Sequence, residues 1–492
     1  MNDVKHYRGT SLLCGIIEYP PAGFRVEFPL GGRRILLSFK APGRGSSNQM
    51  IDKTNGRQGD CEEILHNAAL AHREGRLGDA ETGYREVLRQ NPEWGAVLNA
   101  LGTVFLDQAR PEKARKILEK AAALQPPYVP ACYNLAMLKQ QEEDHRGAVS
   151  IYRTIVARQP DFGHAWNNMG VAYREIGEPD EALACFQKAV TWVPDMAEAW
   201  NNLGVAQDEL NLTEAASASY RKATEIRPDY PSAHFNLGVS LQKLGRLAEA
   251  DAHYGKVLER KPDDPAAQFM RQSLGTSETP DAAPVEHVRR IFDQCAGTFE
   301  RILVKELAYR TPELLFELVR PYLRKGMHVL DLGCGTGLGA AYYRPFAKRL
   351  VGVDISSKML AKAAEKDVYD RLAILDILQD WGLSQRVDLI YSSDVLVYVG
   401  NLDPVIRSAS SYLVDGGIMA LSVERLEDPS LTYRLFPSGR YAHSETYVAD
   451  CLSRHGFHVV AQTEGEIRKQ SGHPVRGLLM VGQKETGPMT GP

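Results

Sequence analysis

Several features that would assign a role at once are missing from this chain. None of its 492 residues fall in the run of roughly 20 apolar side chains that a bilayer crossing requires. The formal net charge is -4, so no overall basic field draws nucleic acid or an anionic membrane. Seven cysteines, an odd number without a C-x-x-C pair, argue against a zinc site or a disulfide framework and for a reducing compartment. Ser11–Ile17 is too short for a signal peptide and lacks a small-residue cleavage site. The expectation is a cytoplasmic chain of two or three domains, with no metal, membrane or nucleic-acid partner.

What is present begins with residues 1–59. Phe24–Phe28 alternates and Arg34–Phe39 is strand-like, with Pro20-Pro21 and Gly31-Gly32 as punctuation, which predicts a hairpin. Ala41–Asp60 has linker composition, and Met50 is an alternative start. From residue 60 to 275 the chain repeats itself every 34 residues. A small residue recurs at Ala68, Gly102, Ala136, Gly170, Gly204 and Gly238, and a second at Ala80, Ala114, Ala148, Ala182, Ala216 and Ala250. A large one follows at Tyr84, Leu118, Tyr152, Phe186, Tyr220 and Tyr254, and a proline at 92, 126, 160, 194, 228 and 262. Small residues let two helices approach, the large one fills the space beside them, and proline stops the second helix. Asp60-Cys61-Glu62-Glu63 fits a capping box, and Pro265–Leu274 reads as a solvated capping helix.

A period of 34 residues resembles the tetratricopeptide repeat, and the array implies an all-α solenoid of six units. Two residues before the small position stand Asn134, Asn168, Asn202 and Asn236, which would form a column along the inner groove. An amide offers a donor and an acceptor together. The column resembles the asparagine ladder of tetratricopeptide superhelices that hold an extended peptide by its backbone, and it implies a protein or peptide partner. A common polar choice on that face remains the other reading. Trp166 and Trp200 occupy a packing position.

Residues 276–284 have linker composition, and residues 285–486 alternate strand and helix signals as a doubly wound sheet does. Helical periodicity resumes at Val285, and Thr311-Pro312 opens a further helix. Strands are expected at Met327–Leu332, Arg349–Val353, Ala373–Leu375, Val387–Tyr391 and Gly417–Val423, with a terminal hairpin of Phe457–Ala461 and Gly477–Val481; residues 487–492 form a tail. The first strand runs into Asp331-Leu332-Gly333-Cys334-Gly335-Thr336-Gly337. Glycines there let the backbone turn sharply beside a ligand, and an acid at the strand mouth suits a cation better than a phosphate.

This stretch resembles motif I of the class I methyltransferases. With the array, the chain resembles bacterial S-adenosylmethionine-dependent methyltransferases that carry tetratricopeptide repeats. The implied fold is a solenoid followed by a Rossmann-like α/β methyltransferase domain, and the implied cofactor is S-adenosylmethionine. Asp331 would meet the methionine ammonium, with Gly333, Cys334, Gly335 and Gly337 lining the turn. Asp354, 21 residues beyond Gly333, stands where an acid takes the ribose hydroxyls. Asp376 and Ile377 would read the adenine edge, Ile355 and Met359 flank its ring, and Ser392 and Asp394 line the methyl-donor end. Tyr309 and Arg310 face either the pocket or the surface.

Methyl transfer needs alignment, shielding and, for a protonated nucleophile, a base. Ser392-Ser393-Asp394-Val395 is not the Asn-Pro-Pro-Tyr type used on planar amines. Ser438–Ser444 matches a stretch of the repeat-bearing methyltransferases; His443 within it is a candidate base or a structural histidine, and Asp394 a second catalytic candidate. Three roles stay open: an enzyme acting on an unidentified protein or peptide acceptor presented by the groove, a small-molecule enzyme localised by its repeats, and a non-catalytic scaffold.

Overall fold

A computed structural model describes residues 25–30, 33–38, 56–275, 278–297, 299–301, 303, 307–470 and 473–486. Met50, Pro20-Pro21, Gly31-Gly32, the tail 487–492 and most of the expected linker Ala41–Asp60 lie outside the described residues. Strands β1 (Arg25–Leu30) and β2 (Arg33–Ser38) pair antiparallel with Leu30 opposite Arg33, as the alternation predicts. Contacts divide the chain into two units, Met1–Ala172 and Tyr173–Pro492. The border falls inside the helix Gly163–Glu175, so the later repeats share a unit with the C-terminal sheet.

In the first unit the helices Gly56–Arg73, Leu77–Gln90, Gly95–Asp107, Pro111–Ala122, Val129–Gln141 and His145–Arg158 follow one another in the expected pairs. The first begins before Asp60, so that residue lies inside the helix and the capping box expected there does not open it. The small and large positions meet as their sizes require. A Cβ on Gly102 would lie 2.6 Å from Leu118 Cδ2. The second unit repeats the contact, with Gly204 under Tyr220 and Gly238 under Tyr254, again at 2.6 Å. Any larger residue would force the paired helices apart.

The terminal helix Pro265–Gln272 departs from expectation. Phe269 and Met270 are buried, sharing one apolar cluster with Leu435 and Tyr441, so this cap packs on protein rather than facing water. Residues 280–284 are likewise pinned. Pro280 O accepts from the Tyr441 hydroxyl at 2.7 Å, Asp281 from Tyr433 at 2.8 Å, and Ala283 N donates to Tyr398 O at 2.9 Å.

The C-terminal sheet comprises β3 (Met327–Leu332), β4 (Ala347–Asp354), β5 (Arg371–Ile374), β6 (Val387–Ser392), β7 (Leu413–Arg425), β8 (Tyr433–Leu435), β9 (Tyr441–His443), β10 (Phe457–Gln470) and β11 (His473–Lys484). Its main path runs β10-β11-β7-β6-β3-β4-β5. Strands β3 to β7 are parallel, and β11 joins β7 antiparallel. The central strands are apolar because both faces are covered. The order reverses direction at β3, where β4 lies on one side and β6 on the other, and open α/β sheets bind ligands at such a switch point. The short pair β8–β9 was not legible in advance; β9 lies parallel to the end of β7, with Arg425 opposite His443.

Candidate active site

The glycine turn after β3 takes the conformation its sequence demands. Gly333, Gly335 and Gly337 have φ of 78°, 53° and 81°, in the left-handed region that side chains avoid. At Gly333 a Cβ would also stand 2.3 Å from Val395 Cγ2. Gly333 N and Cys334 N donate to Val353 O at 2.8 and 2.9 Å, tying the turn to β4.

Three acids stand at or near the ends of three neighbouring parallel strands. Asp354 closes β4; its Oδ2 accepts from Gly335 N at 2.9 Å and its Oδ1 from Ser356 N at 2.8 Å, which holds the carboxylate against the turn. Burial raises its pKa, with the amide bonds opposing. Asp376, just beyond β5, accepts from Leu378 N at 3.0 Å. Both line one cavity with Gly333, Gly335, Ile355 and Ile377. Asp331 lines an adjoining recess that shares Gly333 and Gly335 with it, and Cys334 lines the same recess. The Tyr369 and Tyr391 hydroxyls donate to Asp331 Oδ2 at 2.7 and 2.5 Å. Burial drives the Asp331 carboxyl up to about 7 despite those bonds, and the Asp354 charge adds to the rise.

The helix Val285–Cys295 roofs the cavity with Val285, Val288 and Phe292, joined by Phe299 and Leu303. Ser356 Oγ donates to Asp293 on that helix at 2.5 Å, which fixes the roof to the end of β4. Tyr309 faces the cavity, whereas Arg310 is exposed and pairs with Glu313. Past β6 the wall continues through Ser393, Asp394, Val395 and Tyr398 to Arg440. The Ser393 hydroxyl is buried without a partner among the described residues.

Several expected residues stand elsewhere. His443 is fully buried in β9, and its Nε2 donates to Val399 O at 2.9 Å and Gly400 O at 3.1 Å. Desolvation lowers its pKa to about 4, so it is a neutral structural group, and it does not line the cavity. This corrects its candidacy as base. Ser392 points inward, donating to Leu332 O at 3.0 Å, and Ser393 takes the wall position instead. Met359 is buried beneath its helix, and Gly337 packs against Tyr369; neither lines the cavity. Asp394 does line it, but Arg468 Nη1 holds both its oxygens at 2.7 and 2.9 Å. Arg468 was missed because the expected final hairpin stopped at Ala461, while β10 runs to Gln470. Tyr391 was findable: pairing the first and fourth strands sets it opposite Asp331.

In the repeats Asn134, Asn168, Asn202 and Asn236 are half-buried on successive first helices. Asn134 donates to Asn99 at 2.9 Å, Asn168 to the Tyr133 hydroxyl at 2.8 Å and Asn236 to Asn201 at 3.0 Å, so these amides already stitch neighbouring units. Trp166 and Trp200 donate to the carbonyls of Pro160 and Pro194 at 2.8 Å; His234 and Gln268 serve Pro228 and Pro262 in the same way.

A glycine turn with acids about it stands at the switch point of this sheet, where open α/β sheets bind ligands. Comparison with known proteins names the domains. Residues 303–462 match the family model of a methyltransferase domain. Tetratricopeptide repeat models match residues 68–129, 129–162, 164–191 and 231–264, and a further one 209–245. A malonyl-[acyl-carrier protein] O-methyltransferase of Pectobacterium atrosepticum is 30% identical over 145 residues, 30% of this chain and 55% of that protein. A trans-aconitate 2-methyltransferase of Variovorax paradoxus is 35% identical over 122 residues, 24% of this chain and 46% of that one. The chain thus spans about half the length of the curated relatives it matches. A solved S-adenosylmethionine-dependent methyltransferase from Clostridium acetobutylicum aligns with a TM-score of 0.31 at 16% identity, over 40% of this chain and all of that one. The chain carries tetratricopeptide repeats and a methyltransferase domain. Among the described residues no helix is long and apolar enough to cross a membrane.

Proposed function

We propose that residues 285–486 bind S-adenosylmethionine and transfer its methyl group to an acceptor that the repeats of residues 60–275 recruit. One observation carries this: Asp331 near the end of β3, Asp354 at the end of β4 and Asp376 just beyond β5 stand at the same edge of neighbouring parallel strands, beside a single glycine turn. Bound there, the cofactor supplies a methyl group on a sulfonium for in-line displacement. The residues present suit it. Asp354, held by two backbone amides, would take the ribose hydroxyls, and Asp376 the adenine amine. The other oxygen of Asp331 would meet the ammonium, whose charge offsets the burial that now favours the protonated acid. The orphaned Ser393 hydroxyl offers a further polar contact. The helix Val285–Cys295 would keep water from the reacting centre. Calorimetry with S-adenosylmethionine tests the assignment: Asp354→Ala should weaken binding by roughly 100-fold, the scale of charge-assisted hydrogen bonds, and equal affinity overturns it.

A second reading has a specific observation behind it. Amides already engaged between units are less available to a peptide backbone, which favours repeats that localise the enzyme over repeats that present its substrate. Replacing Asn134, Asn168, Asn202 and Asn236 together by Ala separates the two, because only presentation makes methylation of protein depend on them. Removing the whole array is a poorer test, since it would strip apolar cover from Leu435 and Tyr441.

A further inference from the structure

The acids lie at one end of the cavity; the other end, beyond β6, is where an acceptor must reach a methyl donor held by them. Two guanidinium groups and two carboxylates meet there. Arg468, almost fully buried, is committed to two carboxylates: Nη1 takes both oxygens of Asp394 and Nη2 takes Glu424, while its Nε has no partner among the described residues. Arg440 is left with less. It lines the cavity, lies 3.9 Å from the Glu424 oxygen that Arg468 already holds, and stands 6.0 Å from the centre of the Tyr398 ring. A guanidinium carries five donors in a fixed fork that matches a carboxylate; Tyr398, Asp394 and Glu424 favour the Arg440 charge, but among the described residues no carboxylate oxygen lies closer to it than 3.9 Å, which leaves donors for a ligand.

The same end lacks a proton acceptor. Among the described residues lining the cavity there is no histidine or lysine. Asp394 is committed to Arg468, and burial pushes the Tyr309 phenol further above its ordinary range. A hydroxyl arriving here finds no base to take its proton, whereas a nucleophile that is already an anion needs none.

We infer that the acceptor is a carboxylate, oriented by Arg440 and the Ser393 hydroxyl, and that the product is a methyl ester. The inference rests on the donor-site reading above. A carboxylate oxygen forms the new bond to the methyl carbon, the carbon–sulfur bond breaks with its electron pair left on sulfur, and no proton moves. Positive sulfonium and negative carboxylate both become neutral, so no base is needed.

The test uses the full chain, tritium-labelled S-adenosylmethionine and an extract of the cells that express it. The label should enter material that mild alkali converts to volatile methanol, and Arg440→Gln should lower that yield by roughly 100-fold. Two readouts do not depend on turnover. S-adenosylhomocysteine affinity, by calorimetry, should change less than about 2-fold in Arg440→Gln, because that ligand lacks the group Arg440 would hold. With S-adenosylhomocysteine present, succinate should raise the melting midpoint of the wild type and not of Arg440→Gln, and succinamide of neither. Alkali-stable label overturns the inference, as does a succinate shift that survives Arg440→Gln. Wild type that binds S-adenosylhomocysteine but shows neither label nor a succinate shift overturns it too. Failure to bind S-adenosylhomocysteine at all overturns the donor-site reading with it.

Discussion

Glycine does opposite jobs in the repeats and at the sheet edge. Gly102, Gly204 and Gly238 sit in ordinary helical conformation, and what matters is the absence of a side chain under Leu118, Tyr220 and Tyr254. Gly333, Gly335 and Gly337 are there for their backbone angles. The first job recurs at a fixed sequence separation of 16 residues, and so do its companions: Tyr152 to Gln140, Tyr220 to Asp208 and Tyr254 to Gln242 are each 12 apart. At the sheet edge every contact happens once and joins distant residues, such as Asp331 to Tyr391 or Asp394 to Arg468. A repeated contact announces its partner in the sequence; a contact made once does not.

The sharpest way to break this contrast is Gly333→Ala. A side chain there meets the left-handed penalty of about 1–2 kcal/mol and a clash with Val395 costing about 1–3 kcal/mol more. Denaturant unfolding should lose about 3–4 kcal/mol, and S-adenosylmethionine binding should vanish with the turn. An unfolding curve that overlays the wild type would place Gly333 with the packing glycines instead.

A single buried histidine gives the next largest effect. His443 titrates near 4 when folded and near 6.5 when unfolded, so the folded state binds fewer protons between those values. Its contribution to stability is complete above pH 6.5 and is lost as pH falls towards 4, about 3 kcal/mol in all. His287, also buried and lowered to about 4 by desolvation, acts in the same direction. Urea midpoints should therefore fall from pH 6.5 to 4, and His443→Asn should flatten that slope. If His443 were the catalytic base, the substitution would abolish transfer in protein that is still folded at pH 7.5.

His443 also shows where reading the sequence stops. The order of strands, the antiparallel final pair, the glycine turn and the acids after three strands were all legible, because period, alternation and strand-end chemistry are local signals. His443 had the residue type of a base and lay in a stretch leading into a helix. Its burial comes from β9 lying beside β7, an arrangement set by the apolar cluster of Phe269, Leu435 and Tyr441 and invisible to any local window. Arg440 and Arg468 were hidden for the same reason. Arg468 meets Asp394 and Glu424, and Arg440 approaches Glu424, through neighbours that three-dimensional register decides.

The finest test sets two glycines of one helix pair against each other. Gly255 lies in the helix Leu247–Arg260 with nothing within 4 Å of the point a Cβ would occupy, whereas Gly238 lies on its partner helix with Tyr254 at 2.6 Å. Helix propensity alone says that alanine gains about 1 kcal/mol at either site. At Gly255 nothing opposes that gain, so Gly255→Ala should raise stability by about 1 kcal/mol. At Gly238 the methyl group must displace a buried ring whose hydroxyl is anchored to Gln242, an overpacking cost of about 1–3 kcal/mol that cancels or exceeds the gain. The two variants should therefore move the urea midpoint in opposite directions, or Gly238→Ala should leave it unmoved. Equal stabilisation by both would mean that the aromatic yields freely, and that the small-and-large alternation along the repeats reflects composition rather than fit.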